Sequence, residues 1–220
     1  MKKLYAAILV ISALTMGSQL IAGPLNPHPP APAPAPAPVP VLPALDEHGV
    51  LNLSNLGLGD AGIIAIAPHF PANMRELWLD HNNIGSQGAI VIANNLFRSP
   101  HLTLIDLDNN HIGAEGLIVL GQLLPAGLEK LYLKENNIGD AEVAALAEHP
   151  LPVTLNWLNL ENNHIGNAGI VALAHCLRDN PIAILSTIAL TGNWFEEDGR
   201  QALADANYAE FQGGMWDYHG

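Results

Sequence analysis

One phrase recurs six times along this chain, and it limits the possible folds more than any other feature. Leu-x-Leu-x-x-Asn-x-Ile-Gly-x-x-Gly occupies Leu77-Leu79-Asn82-Ile84-Gly85-Gly88 and returns on Ile105-Leu107-Asn110-Ile112-Gly113-Gly116. It returns again on Leu131-Leu133-Asn136-Ile138-Gly139, with Glu142 in place of the last glycine, and in full on Leu158-Leu160-Asn163-Ile165-Gly166-Gly169. Degenerate copies flank these, Leu51-Leu53-Leu56-Leu58-Gly59-Gly62 before and Ile188-Leu190-Asn193-Phe195-Glu196-Gly199 after. The copies start at residues 51, 77, 105, 131, 158 and 188. A repeat of this period predicts a solenoid, each unit forming one turn of a coil and touching only its neighbours. What such a chain binds becomes the first functional question, ahead of what it reacts with.

Each unit divides into two periodicities. Leu-x-Leu alternates, which predicts a short strand with one buried face. An apolar residue three positions upstream (Met74, Leu102, Leu128, Leu155, Leu185) leads the chain onto that strand. After the glycines, apolar residues take helical spacing: Ala89-Ile92-Ala93-Leu96, Leu117-Leu120-Leu124, Val143-Leu146-Ala147 and Ile170-Leu173-Ala174-Leu177. These predict amphipathic helices, with Pro68, Pro100, Pro125, Pro150 and Pro181 at their ends or in the loops that follow. The Asn has a mechanical task. A side-chain amide satisfies both the donors and the acceptors that a sharp turn leaves inside the coil. The glycine after the Ile is expected to open the turn toward the helix without a Cβ penalty.

Strand, Asn turn, Ile-Gly and a full helix in this period resemble leucine-rich repeats of the ribonuclease-inhibitor type. The resemblance covers residues 45–205 and implies an α/β solenoid of about six repeats, with a curved parallel sheet on the concave face and helices on the convex face. It does not imply ribonuclease inhibition, because the large inhibitors have many more repeats and are rich in cysteine. The first unit, with Leu56 for the Asn, and the last, with Trp194-Phe195 and Glu196-Glu197-Asp198, depart from the pattern as end caps should. The tail over 206–220 carries Tyr208, Phe211, Trp216 and Tyr218 and is expected to pack over the open end, the alternative being a partner-binding tail.

The first 44 residues read differently. Met1-Lys2-Lys3 and the apolar run from Leu4 have the layout of a secretory signal, predicted to span residues 1–22 and resembling bacterial export signals. An uncleaved anchor is the alternative, since Leu4 to Ile21 is nearly long enough to cross a bilayer. Residues 24–44 hold 10 of the 17 prolines. Proline fixes φ and lacks a donor, so residues 23–44 read as an extended linker reaching roughly 60 Å at ~3.1 Å per residue. A proline-recognition ligand is a weaker reading, because no basic residue flanks the run. The net charge of −13 becomes two units more negative without Lys2 and Lys3. Such a surface repels nucleic acid and steers basic partners inward. The single cysteine, Cys176, allows no intrachain disulfide and reads as a small core filler.

Between and just after the two strand leucines, side chains are expected to face outward on the concave side. These positions hold Trp78, Asp80 and His81, then Asp106, Asp108 and Asn109, then Tyr132, Lys134 and Glu135, then Asn159 and Glu161, with Trp157 just before its strand. They form an aromatic column, Trp78, Tyr132 and Trp157, beside an acidic column, Asp80, Asp106, Asp108 and Glu161. Aromatic anchors flanked by charge are the substance of interaction hot spots. The candidate partner-binding residues are therefore Trp78, Asp80, His81, Asp106, Asp108, Tyr132, Lys134, Trp157, Asn159 and Glu161. A basic or amphipathic protein segment suits them best, and a sugar stacked on Trp78 is the alternative.

Asp106 and Asp108 also stand about 6.5–7 Å apart along one strand, a separation compatible with an inverting glycosidase pair. Their place on a shallow repeated surface argues against catalysis. The ten histidines are scattered, which argues against a metal centre. The sequence therefore reads as an exported bacterial protein, periplasmic or released, that binds a protein partner without catalysis, cofactor or metal, and acts as a monomer with no membrane span after cleavage. An envelope-anchored structural protein, or the substrate-binding part of an effector enzyme, are the competing readings.

Overall fold

The computed structural model describes residues 42–179 and 187–208. Six three-residue strands are laid down in chain order: β1 Val50–Asn52, β2 Glu76–Trp78, β3 Leu104–Asp106, β4 Lys130–Tyr132, β5 Trp157–Asn159 and β6 Thr187–Ala189. They alternate with helices α1 Gly59–Ile66, α2 Ser86–Asn95, α3 Ala114–Leu123, α4 Asp140–Ala147, α5 Asn167–Asp179 and α6 Glu197–Leu203. All strand pairs are parallel and the sheet order is β1-β2-β3-β4-β5-β6. Each repeat is thus one strand and one helix, stacked on the next, as an α/β solenoid requires. Among the described residues no helix is long and apolar enough to cross a membrane. The leader, the proline-rich segment, Pro181, Leu185 and the aromatic tail from residue 209 lie outside the described residues.

The core lies between sheet and helices. Leu77, Leu79, Ile105, Leu107, Leu131, Leu133, Leu158 and Leu160 are fully buried, as are Met74, Leu102, Leu128 and Leu155 upstream of the strands. The helices close over them with Ile63, Ile92, Leu117, Leu120, Val143, Leu146, Ile170 and Leu173. Leu124, expected inside a helix, lies one residue past α3, and Leu96 continues α2 as a 3-10 turn over Leu96–Arg98. Ahead of β2, β3, β4 and β5 a tight turn returns the chain to the sheet. There Leu128 N–H donates to Pro125 O and Leu155 N–H to Pro152 O, both at 2.9 Å. In both turns the proline is the first residue and supplies the accepting carbonyl.

The Asn ladder runs through the whole stack. Asn110 Nδ2 donates to Leu79 O and Leu107 O at 3.0 Å, while its Oδ1 accepts from Asn82 N at 3.2 Å and Ile84 N at 2.9 Å. Asn163 repeats the pattern with Leu133 O and Leu160 O, and accepts from Asn136 N and Ile138 N. Each amide therefore ties its own turn to the preceding one. Asn82, Asn110, Asn136 and Asn163 are all buried.

Where the chain leaves each strand, a positive φ falls on the residue before the Asn position, and on the residue after it at Gly57, Asn83 and Asn137. It is +59° at Asn55, +55° at His81, +55° at Asn109, +54° at Glu135, +51° at Asn162 and +77° at Gly192. Asn and Gly tolerate this left-handed region best, which accounts for four of the six positions. The expectation that the motif glycine opens the turn holds at Gly59, with a φ of +54°, and is corrected in the following units. Gly85, Gly113 and Gly139 are extended, with φ of −97°, −85° and −108°.

Close stacking is what requires the second motif glycine, at Gly88, Gly116 and Gly169, where a Cβ would press on the preceding repeat. Asp140, just after the first motif glycine of its unit, sits under the start of α5, and its Oδ1 accepts from Gly166 N at 2.7 Å and Gly169 N at 2.8 Å. Asp60 caps α2 in the same way through Gly85 N and Gly88 N, and Asn167 caps α6 through Glu196 N and Gly199 N. Each of these helices is N-capped by the preceding repeat, satisfying donors that a helix start leaves unpaired. The fourth unit explains its own exception. The equivalent residue before it is Ala114, which has no acceptor, and Glu142 caps Gly139 N from within the unit at 2.9 Å.

Candidate functional site

The pleat of the sheet sends alternate residues outward, and the parallel register sorts them into rows. The first row holds Val50, Glu76, Leu104, Lys130, Trp157 and Thr187, and the second Asn52, Trp78, Asp106, Tyr132, Asn159 and Ala189. Two residues further on, backbone bonds such as Asn55 N to Asp80 O and Asn109 N to Lys134 O carry the ladder past the strands. They bring Ser54, Asp80, Asp108, Lys134 and Glu161 into a third row.

This register breaks the expected aromatic column. Trp78 and Tyr132 share a row but Asp106 stands between them, and Trp157 lies one row away, opposite Lys130. Tyr132 and Trp157 do meet, with ring centroids 6.3 Å apart and planes tilted by 33°. Trp78 is held instead by Glu76, whose Oε2 accepts its indole N–H at 2.9 Å. Glu76 belongs to the face and was not among the candidate residues, although simple alternation back from Trp78 points to it.

Asn159 lies in the same row as Asp106. It is only 8 % exposed and its Oδ1 accepts Glu161 N at 3.0 Å, so it braces the chain leaving β5, as the equally buried Asp106 in the same row braces the chain leaving β3. His81 sits at the left-handed turn, exposed, with Nδ1 3.0 Å from Asp80 Oδ2. Lys134 pairs with Glu135 at 3.5 Å.

The acidic residues are drawn together. Asp106 Oδ1 accepts Asp108 N at 2.9 Å, Asp108 Oδ1 accepts Lys134 N at 2.6 Å, and the Ser54 hydroxyl donates to Asp80. Burial pushes the Asp106 carboxyl up, and the Asp80 charge adds to it. Asp108 is pushed up to about 7, by burial first and by the Asp106 charge next, against the Lys134 N–H and ammonium that hold it down. The Tyr132 phenol is also raised, by burial and then by Asp106, Asp108 and Glu76. One oxygen of each aspartate in the Asp106–Asp108 pair is thus committed to a backbone N–H. This is an anchored acidic patch with rings beside it.

The proton on Asp108 has a consequence for stability. Its folded pKa lies above the unfolded value, so the folded chain keeps a proton that the unfolded chain releases. Stability therefore falls as pH rises from about 4 to about 7, the window between the unfolded and folded values. Asp108→Asn keeps an acceptor for Lys134 N–H and removes the charge. After discounting for solvent around a partly exposed carboxylate, it is expected to be about 1 kcal/mol more stable than the parent at pH 8 and equal to it near pH 4. Urea titrations at both pH values check this; a parent whose stability does not change between them would contradict the raised pKa.

Comparison with known proteins bears on the fold. The family model described as Leucine Rich repeat matches residues 71–93, 98–121 and 153–174. The fold is that of a leucine-rich repeat solenoid. Its repeats are similar in structure to Leiomodin-1 Actin-Binding Site 2 (ABS2), with 20% sequence identity and a TM-score of 0.43 over 74% of this chain and 80% of that one. No curated protein matches the chain. The matched segments lie within repeats whose Leu, Ile, Asn and Gly positions are scaffold. Asp80, Asp106, Asp108, Tyr132 and Trp157 occupy positions that the scaffold leaves free.

Proposed function

We propose that this chain is a non-enzymatic protein-binding module that uses the outward face of its sheet, and that its partner offers a basic or amphipathic segment. The supporting observation is the acidic patch. Asp80, Asp106 and Asp108 are held side by side on β2 and β3 against their mutual repulsion, which a bound cation would relieve. Tyr132, Trp157 and Trp78 place aromatic surface next to that charge. The acidic net charge favours the same partner and disfavours nucleic acid. The N-terminal signal pattern supports export to the periplasm or beyond, with residues 23–44 as a spacer and the repeat region acting as a monomer.

Capture of partners by the full chain, followed by titration against an Asp106→Asn/Asp108→Asn double variant, tests this reading. The double variant is expected to bind at least about tenfold more weakly, with a steep loss of salt dependence, while melting no lower than the parent. Unchanged affinity in the double variant would remove the acidic patch from the binding surface.

A further inference from the structure

We infer that the segment held on this face is charge-segregated, with its cationic side chains over β2 and β3 and a carboxylate over β4, on Lys130. The inference rests on the sheet face being the binding surface. It adds an acidic group on the partner and a residue that selects for it.

The sign of the face reverses across the sheet. In the first row Glu76 on β2 and Lys130 on β4 are separated by Leu104, which is 7 % exposed and presents almost no surface. In the third row Asp80 and Asp108 give way to Lys134. The chain has four lysines; Lys2 and Lys3 open it, and the other two are Lys130 and Lys134. Both of these stand on the outward side of one repeat, one at the start of β4 and one two residues past its end. A partner with a single sign of charge would be attracted by one half of the face and repelled by the other.

The two lysines differ in what they already hold. Lys134 Nζ lies 3.5 Å from Glu135 Oε1, and its charge also acts on Asp108. Lys130 is exposed, and among the described residues its ammonium has no ion pair or hydrogen bond, even with Glu129 beside it in the chain. Trp157 is its register partner on β5. A carboxylate arriving at Lys130 therefore meets a cation that no neighbour neutralises, with an apolar ring alongside that excludes part of the surrounding water.

Spacing decides how the partner's charges must be arranged. Glu76 and Lys130 share a row two strands apart, roughly 9.6 Å between their backbones at ~4.8 Å per strand. Opposite charges that alternate along a partner neutralise one another within that distance. Charges grouped by sign reach both halves of the face.

The test is a titration of the full chain, followed by tryptophan fluorescence or calorimetry, with three synthetic peptides whose termini are blocked. The first is Arg-Ser-Arg-Ser-Ser-Glu-Ser-Glu, the second its isomer Arg-Ser-Glu-Ser-Ser-Arg-Ser-Glu, and the third the first with glutamine for each glutamate. The grouped peptide is expected to bind about fourfold tighter than its isomer at low salt, the size of one exposed ion pair. Lys130→Gln is expected to melt with the parent, to abolish that difference, and to bind the third peptide no more weakly than the parent does. If the isomers bind alike while the third peptide binds and weakens in Asp106→Asn/Asp108→Asn, the inference fails and the basic-partner reading stands. If no peptide binds, both fail. A difference between isomers that persists in Lys130→Gln overturns the role given to that lysine.

Discussion

Asn163→Ala is expected to unfold the middle of the stack, with a loss above about 4 kcal/mol. The amide is fully enclosed, and removing it strands groups in two repeats at once. Asn136 N and Ile138 N lose their acceptor at 2.9 and 3.0 Å and Leu133 O loses a donor at 3.0 Å, while Leu160 O keeps only Asn193 Nδ2. Each buried group left unpaired costs about 1–3 kcal/mol, and water cannot replace the amide in a closed coil. The total rivals the whole stability expected of a domain this size. Asn163→Asp separates the two halves of the role. It keeps an acceptor but sets a carboxylate against carbonyl oxygens, so its deficit is expected to exceed that of alanine at pH 8 and to shrink near pH 4, where the group is neutral. Asn193 serves as the internal control. It is only partly buried, so Asn193→Ala is expected to cost clearly less. Denaturant titrations followed by circular dichroism give all four values. A loss within about 1 kcal/mol for Asn163→Ala would mean that the ladder does not hold the coil together.

The second large effect is expected from adding one methyl group. In Gly169→Ala the new Cβ would stand 2.7 Å from Asp140 Oδ1, 2.9 Å from Ile165 Cγ2 and 3.0 Å from Asp140 Cα. The side-chain contact can relax by rotation of Asp140, but the contact with its Cα is backbone against backbone. Overpacking at such a point costs about 1–3 kcal/mol. Displacing Asp140 also forfeits the cap on Gly166 N and Gly169 N, worth about 0.5–2 kcal/mol. A combined loss of about 3 kcal/mol is expected, against about 1 kcal/mol for Asp140→Ala alone. In the Asp140→Ala background the cap is already gone and the carboxylate no longer blocks the methyl, so Gly169→Ala should cost less there. A double-mutant cycle reads that coupling directly. Strict additivity would show that the glycine and the aspartate of adjacent repeats do not act together.

These two expectations differ in how far the chain alone supports them. That Asn163 is structural follows from its place after Leu158 and Leu160, because alternation and the sharp turn are local properties. The core was legible for the same reason: Leu77, Leu79 and Met74 and their counterparts are buried because a period of two and a period near 3.6 each fix a face. The cap of Asp140 on Gly166 and Gly169 is different. It joins residues 26 and 29 positions apart, and nothing in either local pattern announces it. The same is true of Glu142, which looks like a lapse in the motif until Ala114 is seen to lack an acceptor.

The candidate face divides along the same line. Alternation placed Trp78, Asp80, Asp106, Asp108, Tyr132 and Lys134 on the outward side, and the register keeps them there. It could not say which of them touch. Trp157 begins its strand where Asp106 and Trp78 lie one row on, so the aromatic column resolves into the Tyr132–Trp157 pair and a separate Trp78. Burial of Asn159 and the raised pKa of Asp108 also arise from neighbours on other strands.

By itself the sequence determined the repeat, the strand and helix of each unit, the buried faces and the sign of the surface charge. All of these follow from spacing along one chain segment and from composition. Only the tertiary structure decided which repeat caps which helix, why the glycines are needed, which rings meet and which carboxylate holds a proton. Those depend on lateral contacts between turns of the coil. Such contacts are set by the register of parallel strands and by a close approach of backbones that no single repeat contains.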